Sequence, residues 1–165
     1  MLITANNTYY PVDQVPEFWA WIRYQGKIGN IKLPSEIMEE VLAGQQSQKG
    51  KKNEDRLLVW IKQAEVQKAL LLDEVVDSGA VARVTEIGYA GDLTDTELEE
   101  IGRDPFLIAY AVGSDERCVV TTEISAPSKI RQNRRVPDVC KDFGVECCTL
   151  FKVNRDLGFK TGWKP

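Results

Sequence analysis

The sequence predicts an α/β fold with a mainly parallel sheet. Three observations lead there. Short apolar strands alternate with amphipathic helices, the pattern that builds a parallel sheet through helical crossovers. The alternation is clearest in the last third, where Cys118–Thr122 and Val145–Leu150 read as strands on either side of a helix over 137–143. The 165 residues are 43% apolar and 28% charged, the balance of a globular chain long enough for one well-buried core. No internal repeat or linker interrupts it, so residues 1–165 read as one domain.

Pro16 to Tyr24 reads as an aromatic helix, with Phe18, Trp19, Trp21 and Ile22 at helical spacing and Gly26 and Gly29 as its stop. This spacing favours a core or interface role over a base-stacking platform. Asn30 to Leu33 is a short strand. Pro34-Ser35 opens the next helix, with Ser35 as N-cap and Gly44 as terminator. The polar, lysine-containing stretch 45–53 reads as a loop. Asp55 to Ala64 is helical. Ala69 to Leu72 fits strand or helix, and helical periodicity returns from Asp73 to Gly88. Thr94 and Glu97 are spaced as a capping box. Asp104-Pro105 starts a helix running to Val112, with Asp104 as N-cap, and Gly144 closes the helix over 137–143.

There is no histidine. A Ser-His-Asp triad, a Cys-His pair and an imidazole-bound zinc are therefore excluded, and carboxylates, amines, hydroxyls and thiols remain. The net charge of −4 argues against coating nucleic acid by bulk positive charge, but leaves room for local basic patches. No apolar run approaches the roughly 18 residues of a membrane span, and the first residues lack a signal-peptide pattern. Cys118, Cys140, Cys147 and Cys148 make no CxxC motif and read as reduced, mostly buried thiols of a cytoplasmic protein.

Ligands of open α/β sheets gather beyond the carboxyl ends of the strands. Glu123 ends the strand from Cys118, and Asp104 opens the helix before it. Such oxygen donors suit Mg²⁺ or Mn²⁺, which take one or two carboxylates and keep several waters. Plainer roles stand beside these: Asp104 as an N-cap, Glu123 as a polar residue after a strand, and Glu36, Glu39 and Glu40 as a solvated helix face. Lys129, Arg131, Arg134 and Arg135 form a basic segment without an acid, fit either for phosphates or for a solvated loop.

Three blocks then acquire a common meaning. Glu40-Val41-Leu42-Ala43-Gly44, Asp104-Pro105-Phe106-Leu107-Ile108-Ala109-Tyr110-Ala111 and Val119-Val120-Thr121-Thr122-Glu123 resemble the signature blocks of PIN-like domains. These are small α/β nucleases, many of them toxins of the VapC type. The segment from Val136 to Cys147, with Tyr9-Tyr10-Pro11 and Phe18-Trp19, resembles an uncharacterised prokaryotic branch of that family. The resemblance implies a three-layer α/β/α sandwich and a metal-dependent endoribonuclease. It implies Glu40, Asp104 and Glu123 as catalytic and metal-binding residues for Mg²⁺ or Mn²⁺, with Thr121 and Thr122 in support. Lys129, Arg131, Arg134 and Arg135 would contact RNA, and Asp138 lies outside the expected site. The expected partners are an RNA substrate, an antitoxin protein and a second copy in a homodimer, with no membrane.

PIN domains also open with a strand ending in a catalytic Asp. Met1-Leu2-Ile3 matches the apolar pair that follows it, so that strand and Asp are expected before residue 1, and Asp13 lies too far along to replace it. A PIN-like module that binds RNA or protein without cutting is the alternative function, and a structure-specific DNA nuclease is a third.

Overall fold

In a computed structural model, residues 1–46 and 55–164 are described. The architecture is mixed α/β, mostly helical, with a small parallel sheet. The contacts divide the chain into two compact units, one of residues 1–73 and 154–165 and one of residues 74–153.

The first unit opens with a helical turn, α1 (Leu2–Thr4), which widens into a π-helical turn over Ala5–Tyr9. Next comes α2 (Pro16–Lys27), begun by Pro16 at its first position, where a missing N–H costs nothing. Its aromatic stripe is core: Phe18, Trp19, Trp21 and Ile22 are almost wholly buried. Tyr10 stacks on Phe18 with ring centres 4.2 Å apart, and Phe159 meets Phe18 edge-on at 5.2 Å. The Trp19 indole donates to the Tyr10 carbonyl at 2.7 Å.

Helix α2 runs through Gly26, which the sequence offered as a stop. The reason is packing. A Cβ on Gly26 would stand 2.6 Å from Leu70 Cδ2 and 2.9 Å from the Ala69 carbonyl oxygen, so the glycine admits a close neighbour. The turn out of the helix is left to Gly29, at φ +92°. Helix α3 (Ser35–Gln46) likewise continues past Gly44, and Ser35 stands inside it rather than capping it. The expected loop over 45–53 begins within α3 and otherwise lies outside the described residues.

Helix α4 (Arg56–Ile61) is capped by Asp55, whose carboxylate accepts from the amides of Leu57 and Leu58. Helix α5 (Ala64–Leu70) follows. The ambiguous run Ala69 to Leu72 is divided: helix to Leu70, then a single parallel bridge from Leu71 to Leu33. The Leu33 amide donates to the Leu70 carbonyl at 2.7 Å, and the Leu72 amide to the Leu33 carbonyl at 2.8 Å. The strand expected over 30–33 is reduced to that bridge.

In the second unit, α6 (Ser78–Arg83) is capped by Asp77 and widens into a π-helical stretch over Val84–Tyr89. The expected helix from Asp73 therefore starts later, at Ser78. Helix α7 (Asp95–Ile101) carries the Thr94–Glu97 capping box as expected. Helix α8 (Asp104–Val112) starts at Asp104 itself, with Arg103 in the N-cap position and no side-chain cap there. Strand β1 (Cys118–Val120) pairs in parallel with β2 (Glu146–Cys148), joined through α9 (Val136–Asp142), as a parallel pair requires. Gly144, at φ +68°, turns the chain out of α9. Sequence periodicity ran the last strand to Leu150. The chain instead leaves β2 at Cys148 and forms α10 (Leu150–Asp156). One apolar core joins Val84, Tyr89, Ile101, Ile108, Val119, Val136, Val139 and Cys140. The cysteines are free thiols, Cys140 and Cys148 buried and Cys118 exposed.

Candidate functional site

Two of the three expected carboxylates, Asp104 and Glu123, belong to the second unit. Glu123 lies just beyond β1, where its amide donates to the Thr121 hydroxyl at 3.1 Å and turns the chain. Asp104 enters from the first turn of α8. Both act on one group, the hydroxyl of Tyr89 at the end of the π-helical stretch. Tyr89 is buried, and its hydroxyl has no hydrogen-bond partner. Burial is the largest cause of its strongly raised pKa; the charges of Asp104 and then Glu123 add to it, and Arg134 opposes them. A hydroxyl there stays protonated, as a donor facing negative charge.

Glu123 is also tied down. One carboxylate oxygen accepts from the Val136 amide at 2.8 Å, the first residue of α9, and the other from Arg135 at 3.1 Å. The sheet end is thereby fastened to a helix start. Asp138, which sequence reasoning set outside the site, is the better buried acid. Its carboxylate accepts from the Ser125 hydroxyl at 2.5 Å and from the Ala126 amide at 2.8 Å. These two bonds, Ser125 first, hold its pKa below the ordinary range. Asp138 thus fixes the loop that follows Glu123.

Two thiol pairs lie in the same unit. A hydrogen bond with Cys147 first, then burial, pushes the Cys140 thiol well up. The Cys118 and Cys148 sulfurs stand 2.8 Å apart, and burial first, then Cys118, pushes Cys148 up to about 12.

The basic segment is engaged within the protein. Arg131 bridges Asp92 at 2.6 Å and Glu97 at 2.8 Å, clasping its own loop to α7. It adopts φ +55° to do so. Arg134 donates to the Gly88 carbonyl and to Asp142, both at 2.6 Å, and so holds the residue next to Tyr89. Arg135 pairs with Glu123. Lys129 is exposed. Three of the four expected RNA contacts therefore have an internal task. Glu40 belongs to the first unit, exposed on α3. Among the described residues, no three Cys, Asp or Glu side chains are grouped to hold a metal ion.

Tyr89 and Asp138 were beyond sequence reasoning for different reasons. A tyrosine at a helix end has no local pattern that marks it. The only signal for Asp138 was its place after Pro137, on the first turn of a helix, where a carboxylate is favoured.

The family-model comparison matches residues 1–161 to the family described as Domain of unknown function (DUF4411). The chain belongs to this family. The match spans both units and takes in Glu40, Asp104, Glu123, Tyr89 and Asp138. No curated protein and no solved structure matches the chain. Among the described residues, no helix is long and apolar enough to cross a membrane.

Proposed function

We propose that this protein is a PIN-like, Mg²⁺- or Mn²⁺-dependent endoribonuclease acting in the cytoplasm as the toxin of a toxin–antitoxin pair. The observation that carries the nuclease assignment is that the charges of Asp104 and Glu123 both act on the buried Tyr89 hydroxyl, which has no hydrogen-bond partner. The three-layer sandwich and the toxin role rest on the order of the PIN-like sequence blocks. A parallel pairing in each unit accords with a mainly parallel sheet.

The residues fit a hard divalent cation. The donors are oxygens, and two carboxylates are the number such an ion takes while keeping most of its water. Asp104 and Glu123, both of the second unit, would hold it. When bound, the ion would activate a water and offset charge on the scissile phosphate. The rest is the work of the chain. Val136 and Arg135 orient Glu123. Asp138 holds the loop behind it through Ser125 and Ala126. Tyr89 supplies a hydroxyl that burial keeps protonated, a donor for a carboxylate or a phosphate oxygen.

The test is cleavage of a structured RNA with Mg²⁺ or Mn²⁺ and with chelator. Cleavage that needs the metal and falls at least a hundredfold in Asp104→Asn is expected. Cleavage unchanged in that variant would sink the assignment.

The alternative, a module that binds RNA or protein without cutting, has its own support. Glu123 already spends both oxygens on Arg135 and Val136. It is marked by RNA or partner binding that chelator leaves unchanged, with no turnover.

A further inference from the structure

A recess of about 500 Å³ opens in the first unit. Ala20 and Gly26 of α2 and Ala69 of α5 are among the residues that line it. Gly26 lets α2 and α5 pack closely there, because a Cβ on it would strike Leu70 and the Ala69 carbonyl. One wall is aromatic: the rings of Tyr24 and Trp163 stand 5.2 Å apart, tilted by 54°. The rim is cationic. Arg23, Lys27, Lys32 and Lys68 line it with one acid, Glu65, in a chain whose net charge is −4. Arg23 is held by Glu65 at 2.7 Å, and the Lys32 ammonium donates to the Ala69 carbonyl at 2.8 Å. Lys27 and Lys68 stand exposed at the mouth.

This combination has a chemical meaning. The other three tryptophans, Trp19, Trp21 and Trp60, are packed in the core. Trp163 is instead half-buried beside Tyr24, on the lining of the recess. Aromatic faces beside cations are how proteins take single nucleotides: the base stacks and the phosphate meets the amines. The volume falls within the range of small-ligand sites. We propose that this recess binds a nucleoside phosphate, with the base against the Tyr24–Trp163 wall and the phosphate between Lys27 and Lys68. An acidic peptide would satisfy the lysines and leave the aromatic wall without a task. The site lies wholly within the first unit and does not depend on the nuclease assignment.

The experiment is isothermal titration of the full chain in chelator, which keeps metal-dependent cleavage out of the measurement. The probes are AMP, ribose 5-phosphate, a pentauridylate and a tetraglutamate. AMP is expected to bind about tenfold more tightly than ribose 5-phosphate, the difference being the stacked base. Trp163→Ala should bring AMP down to the level of ribose 5-phosphate and leave the latter unchanged. The exposed double substitution Lys27→Glu/Lys68→Glu should weaken both by about tenfold, with the circular dichroism spectrum preserved. A pentauridylate that binds more tightly than AMP identifies the source as an RNA strand; equal binding identifies a free nucleotide. Either upholds the site. It is overturned if AMP fails to bind at millimolar concentration, binds no better than ribose 5-phosphate, or is matched by tetraglutamate.

Discussion

Tyr89 carries two opposing costs that a single substitution separates. A buried hydroxyl without a partner destabilises a fold by roughly 1–3 kcal/mol, and here two carboxylates lie close enough to act on it. If the hydroxyl serves only the fold, Tyr89→Phe gains stability and loses nothing. The expected outcome is a melting temperature equal to or above the wild type together with at least a tenfold drop in metal-dependent cleavage. Asp138 gives the opposite pattern. Asn in its place keeps one acceptor oxygen and replaces the other with an NH₂ donor, so it can accept from only one of the Ser125 hydroxyl and the Ala126 amide. Asp138→Asn is expected to destabilise the protein by about 1–3 kcal/mol in a denaturant titration, with catalysis falling only as the loop after Glu123 loosens. At this scale the sequence was half legible. Asp104 and Glu123 were marked by their places at a helix start and a strand end. Tyr89 was not, because only the π-helical widening after Arg83 and the packing of α8 bring it to them.

Elements are held by glycines and clasps as much as by apolar stripes. At Gly26 the nearest obstacles include a backbone oxygen, which cannot move aside as a side-chain tip can. Gly26→Ala is therefore expected to cost about 1–3 kcal/mol, against the gain alanine brings to an ordinary helix interior. Composition marked this glycine as a helix breaker, because sequence alone does not show that α5 lies against it. The capping box of α7 was fully legible, since both of its bonds are local. Its electrostatic partner was not: Arg131 is far from Glu97 in sequence. Hydrogen bonds from Arg131 first, then from the Thr94 backbone, hold the Glu97 carboxyl down to about 2 from the ordinary 4.5. Between these values the unfolded chain binds more protons than the native one, so stability rises with pH across the window. Wild type should lose stability as pH falls from about 4.5 towards 2. Glu97→Gln should be less stable at neutral pH and should lose less stability over that window, the remainder coming from Asp138, as followed by circular dichroism. Of the basic segment, expected to meet phosphates or solvent, Arg131 is spent on this clasp to α7.

For the whole molecule, the class was legible and the proportions were not. Alternating periodicity gave α/β with parallel pairing, which β1 with β2 and Leu33 with Leu71 both display. Strand lengths were overestimated at each site, because an apolar run marks burial and does not say where the ladder of hydrogen bonds stops. Leu150 is such a case, buried as the first residue of α10 rather than the last of a strand. The division into two units left no trace in composition, and it places the three expected carboxylates unevenly, Glu40 in one and Asp104 and Glu123 in the other. The central claim is that Asp104 and Glu123 together hold a divalent cation. Titration of Mn²⁺ followed by electron paramagnetic resonance tests it most directly, on the wild type and on Asp104→Asn and Glu123→Gln. The expected result is a bound Mn²⁺ in the wild type, displaced by Mg²⁺, whose affinity falls about tenfold or more in each variant. Equal Mn²⁺ binding by wild type and both variants, all folded, would contradict it.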